Sequence, residues 1–81
     1  MKSIDKLRII LGQEVKQNNG KRDFEVNIGE IARKIGCSSS DVIEDLNHLK
    51  YSGELMRLVG YGAQNDRYII KVSPKSSILS Q

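Results

Sequence analysis

Residues 27–53 read NIGEIARKIGCSSSDVIEDLNHLKYSG, and two apolar stripes run through them at helical spacing. Ile28, Ile31, Ala32 and Ile35 make the first stripe; Val42, Leu46 and Leu49 make the second. Gly36 lies between them, where a sharp reversal needs the positive φ that glycine adopts without a Cβ penalty. Ala32 is small enough to let two helices approach where they cross, and Val42 points back into the angle. Asn27 with Glu30, and Ser38 with Asp41, carry the spacing of a capping box. Cys37 before the second cap and Val42 inside the helix have the placement of a hydrophobic staple. The stretch therefore predicts two short helices joined by a tight Gly-Cys-Ser turn, the second ended by Gly53.

Upstream, Ile4, Leu7, Leu11 and Val15 form another helical stripe, widened by Ile10. Ser3 is placed to cap that helix and Asp5 to favour its positive end, with Gly20 closing it. Phe24-Glu25-Val26 alternates and reads as a very short strand. Downstream, Leu55–Val59 and Arg67–Val72 are strand-length runs around the turn-rich Gly60–Asp66, which predicts a β-hairpin. In the second run Tyr68, Ile70 and Val72 share one face, and Arg67 and Lys71 share the other. Residues 73–81 show little periodicity and are expected to be a flexible C-terminal tail beyond a domain of residues 1–72. The expected buried set is Leu7, Leu11, Ile31, Ile35, Val42, Leu46, Leu49, Leu55 and Ile70.

The chain has 81 residues, enough for one α+β domain with a modest core. No apolar run reaches the length of a membrane span, and the first residues are too polar for a secretory signal. An intracellular, cytoplasmic protein without a membrane partner is expected. Cys37 and His48 are the only residues of their kinds, so a disulfide or a Cys/His zinc site within the chain is excluded. Asp41, Asp45 and His48 share a helical face, which a cap and a solvated surface explain without a metal. No nucleophile–base pair, phosphate loop or metal cluster is visible, so neither an enzyme nor a cofactor is expected. The net charge of +3 is compatible with nucleic acid without being diagnostic.

The blocks Ile31-Ala32-Arg33-Lys34-Ile35-Gly36, Ser38-Ser39-Ser40-Asp41-Val42 and Tyr51-Ser52-Gly53-Glu54-Leu55 resemble the helix-turn-helix core and the approach to the wing of the winged-helix family. The resemblance spans about residues 3–72. It implies three helices with a small three-stranded antiparallel sheet, in the order helix, strand, helix, helix, strand, strand. It also implies a third helix in the major groove of double-stranded DNA and a wing along the backbone. By position, Ser38, Ser39, Ser40, Ile43, Glu44 and Asn47 would face the groove, and Arg57, Tyr61, Asn65 and Arg67 would form or flank the wing. Arg33 and Lys34, on the polar face of the second helix, suit either a phosphate contact or an ordinary solvated surface.

The groove-facing set departs from the family habit in having no Arg or Lys, although arginine to guanine is the commonest specific base contact. Asn47 is suited to adenine and Glu44 to the cytosine amino group. Two functions are consistent with this reading. One is a DNA-binding protein, either a small transcriptional regulator or a module of a replication or plasmid system. The other is a winged helix used for protein–protein interaction in a larger assembly, favoured by the acidic third helix and by Ile43, which lies off the apolar stripe. A homodimer is compatible with both.

Overall fold

The turn at Gly36 sets the angle on which the fold is built. In the computed structural model, which describes residues 1–81, the flanking helices are α2 (Ile28–Ile35) and α3 (Ser39–Tyr51). Gly36 has φ of 84° and ends α2 with its N–H on the Ala32 carbonyl at 2.8 Å. At the start of α3 the Ser38 hydroxyl accepts from the Asp41 N–H at 3.1 Å, and the Ser38 N–H donates to the Asp41 carboxylate at 3.4 Å. The expected capping box is therefore complete there. At α2 the Asn27 side chain accepts from the Glu30 N–H at 2.9 Å, so that cap works in one direction.

Strands β1 (Asp23–Asn27), β2 (Leu55–Tyr61) and β3 (Arg67–Val72) form one antiparallel sheet in the order β1-β3-β2. Phe24 pairs with Ile70 and Val26 with Tyr68, and alternation turns these side chains toward the helices. A bulge between Leu55 and Arg57 leaves Met56 as the extra residue, 53% exposed. β2 runs on through Gly60 and Tyr61, beyond the expected strand end. Gly60 continues it because the Tyr68 ring lies over its Cα; a Cβ there would meet that ring at 2.9 Å. The hairpin closes through a 3-10 turn at Ala63–Asn65. Its far end is tied to α2, with the Ile28 N–H donating to the Asp66 carbonyl at 2.8 Å.

Helix α1 (Ser3–Gln17) lays Leu7, Leu11 and Val15 on this core. Lys2, not Ser3, occupies its N-cap position. Ser3 is drawn instead to α3, where its hydroxyl donates to the Asp45 carboxylate at 2.7 Å. All nine residues expected in the core are buried, joined by Val15, Val26, Ile28, Ala32, Val72 and Ile78.

Ile78 overturns the expectation of a flexible tail. Ser77–Ser80 forms a 3-10 turn against α1, and Ile78 is fully buried. Gly12 permits that approach: a Cβ there would lie 2.8 Å from the Ile78 carbonyl oxygen. A mid-helix glycine costs about 1 kcal/mol relative to alanine, and here it admits the tail. Aperiodic sequence concealed this, because a single buried side chain has no period.

Glu54, between α3 and β2, fastens these parts. Arg8 of α1 donates to it from Nη2 at 2.8 Å and from Nε at 3.2 Å, while Nη1 of the same guanidinium reaches Asp5 at 2.9 Å. The Ser77 hydroxyl donates to Glu54 from the tail, and the Ser73 N–H donates to the Glu54 carbonyl at 2.9 Å. The Arg8 hydrogen bonds hold the Glu54 carboxyl below its ordinary range; burial opposes them, and Ser77, the Arg8 charge and Ser76 reinforce them.

Leu46→Ala and Ile78→Ala are each expected to cost about 2–5 kcal/mol on chemical denaturation. A loss below ~1 kcal/mol at Ile78 would separate the tail from the cooperative fold. The lowered Glu54 pKa adds stability that is complete above the unfolded-state value of about 4.3 and is lost as pH falls through the folded value. Wild type is therefore expected to lose more stability than Glu54→Gln between neutral and acidic pH. Equal losses would remove Glu54 from the acid response.

Candidate nucleic-acid interface

Capping, ion pairing and register divide the candidate interface residues into separate groups. Ser38 is committed to the α3 cap, its hydroxyl accepting from Asp41. Ser39 and Ile43 lie beside the hairpin, where with Asn27, Gly29, Gln64 and Asn65 they line a groove of about 200 Å³. This groove joins the start of α2, the first turns of α3 and the hairpin tip. Ile43 is half-buried and packs against the core, so most of its misfit with the helical stripe is resolved by a wider apolar face. Ser40 is exposed near the same helix end.

Glu44 and Asn47 are exposed one turn further along α3. With Ile4, Asp45, His48 and Tyr51 they line an open depression between α1 and α3. Tyr51 is 93% exposed. At about 100° per residue, Ser39, Ile43, Asn47, Ser40 and Glu44 follow one another around one arc of α3, with Ser39 and Ile43 at its hairpin edge and Glu44 at its far edge.

Arg33 and Lys34 are exposed on α2. Lys34 lines a hollow of about 250 Å³ with Glu14, Glu25, Glu30 and Arg67, so three carboxylates surround two cations there. The hairpin side chains divide as well. Arg57 pairs in register with Lys71 on the outer face of the sheet, and neither takes part in an ion pair. Lys71 is the cation that sequence reading left out of the interface. Its signal was the alternation that puts Arg67 and Lys71 on one face, which becomes decisive only when β2 brings Arg57 alongside.

Arg67 is differently placed. Its Nη1 donates to the Glu25 carboxylate at 3.0 Å across the sheet, and the two side chains are 49% and 44% exposed. Tyr61 is in register with Arg67, on the same face of the sheet as Glu25. The Tyr61 hydroxyl first, and the Arg67 guanidinium next, hold Glu25 below the ordinary carboxylate range. In return, Glu25 pushes the Tyr61 hydroxyl above its ordinary value, with burial and the Asp66 charge adding and Arg67 opposing. Glu25 was read only as a strand residue, since β1–β3 register is a tertiary property.

No group of three or more His, Cys, Asp or Glu side chains comes together as a metal site, and no helix is long and apolar enough to cross a membrane. Cys37 is half-buried at the turn; burial first, then the charges of Asp41 and Asp45, push its thiol upward and disfavour the thiolate. No family model, curated protein or solved structure matches the chain.

Tyr61 is expected to ionise above the ordinary tyrosine value of about 10, and Glu25→Gln to lower that midpoint. Ring resonances followed through an alkaline NMR titration measure it. An unchanged midpoint in the variant would show that the carboxylate does not govern the hydroxyl.

Proposed function

We propose that this chain is a winged-helix protein that binds double-stranded DNA without catalysing a reaction. The single observation carrying the reading is the groove shared by α2, α3 and the hairpin, pinned by the bond from Ile28 to Asp66. It sets the exposed start of a helix beside a hairpin, as a helix in the major groove with a wing along the backbone requires. Ser39, Ser40 and Asn65 supply neutral polar contacts, while Arg33, Arg57 and Lys71 supply charge for phosphates. The exposed arc of α3 carries Asn47 and Glu44 and no Arg or Lys before Lys50, so base readout is narrow and most of the affinity is electrostatic. A small transcriptional regulator, or the DNA-binding module of a replication or plasmid system, fits such a weakly specific binder.

One feature favours the second reading, a protein-interaction module. Tyr51 and Ile4 stand among Glu44, Asp45 and His48 in the open depression on α3, where acidic groups would repel a duplex.

A salt titration against random duplex DNA separates the two. Arg33→Ala and Arg57→Ala are each expected to weaken binding to all sequences alike and to reduce the salt slope by about one. Glu44→Ala is expected to leave sequence preference unchanged. Absence of duplex binding at ~50 mM salt, where non-specific contacts register, would replace the DNA reading with the interaction module.

A further inference from the structure

We propose that Glu25 is a built-in phosphate substitute that masks Arg67 and so limits the hairpin's hold on DNA. This rests on the DNA-binding reading. Arg67 and Tyr61 are register partners on β3 and β2, next to the hairpin tip, where a wing would meet a backbone. Glu25 reaches Arg67 from the neighbouring strand β1, its carboxylate accepting from Nη1 at 3.0 Å. One carboxylate thereby occupies the arginine nearest the hairpin tip, a group suited to a phosphate.

The mask is built to be weak. Both side chains of the ion pair are about half exposed, and water and salt screen such pairs. Arg67 uses only Nη1 on Glu25, so the pair lacks the second parallel bond of a bidentate one. The remaining charged groups around this hollow are Glu14, Glu30 and Lys34, and none of them forms an ion pair with Arg67 or Glu25. Glu25 alone therefore decides whether Arg67 acts as a free cation. The carboxylate also adds its own repulsion toward an approaching backbone. Arg57, on the same outer face, has no such partner, so the two hairpin arginines are unequal.

The test is a double-mutant cycle in binding to random duplex DNA. Glu25→Gln is expected to strengthen binding about two- to fivefold at low salt, the range of an exposed ion pair, and to steepen the salt slope by about one. Arg67→Ala alone is expected to leave the slope nearly unchanged, because the wild-type arginine is already occupied. In the Arg67→Ala background, Glu25→Gln is expected to give a smaller gain and no added slope. A gain of equal size in both backgrounds would mean that Glu25 acts only through general charge, and would overturn the mask. No gain in either background would overturn it as well, with duplex binding by wild type leaving the DNA reading standing. If wild type and every variant bind no duplex, the reading and the mask fall together.

Discussion

The Glu54 carboxylate is the fastening on which the rest of the arrangement depends. Burial of the apolar stripes drives the helices and sheet together, since that term scales with area and has no direction. It does not say where α1 must end up along α3, or whether the last residues fold back. Glu54 does, by receiving Arg8 from α1 and Ser77 from the tail while its backbone closes onto Ser73. The pair is less than one quarter exposed and bidentate, which strengthens it relative to a surface ion pair. Gly12 completes the arrangement by leaving room for the tail that Glu54 draws in.

A second economy governs the charged surface. The chain carries thirteen Lys and Arg, yet a count of cations misleads about what a partner would meet. Arg8 is occupied by Glu54 and Asp5, and Arg67 by Glu25. Arg22 donates to the Val72 carbonyl at 3.0 Å, and Lys16 to the Gln81 carbonyl at 2.6 Å. Of the nine others, Arg33 and Lys34 stand on α2, Arg57 and Lys71 on the outer sheet and Lys50 at the end of α3, with Lys2, Lys6, Lys21 and Lys75 elsewhere. Lys50 is the one Lys or Arg on α3, and it lies in the last turn, away from the helix start that borders the hairpin. A duplex seated on this surface would be held by its backbone, with little direct contact between charged side chains and base edges.

The arc that α3 exposes follows from its packing. Val42, Leu46 and Leu49 are fully buried, which fixes the rotation of the helix about its axis. Ile43 then borders the hairpin and Glu44 lies about 100° further round the same helix, beside the depression next to α1. The hairpin owes its own position to the sheet order β1-β3-β2 and to the bond from Ile28 to Asp66.

Local chemistry was legible in the residues. The stripes of α1, α2 and α3, the Ser38–Asp41 box, the reversal at Gly36 and the alternation of β3 each depend on neighbours within a few positions, and periodicity and capping report such neighbours directly. Partnerships across the chain were not legible. Ser3 was read as a cap and bonds to Asp45; Arg67 was read as a free contact and pairs with Glu25. The tail was read as flexible and buries Ile78 against α1. Each of these is a contact between residues more than forty positions apart, or one buried side chain in an aperiodic segment. Sequence by itself determined which segments form helices and strands, because those depend on local spacing. Tertiary structure alone decided which charges face a partner, because register and docking choose the neighbour that neutralises each one.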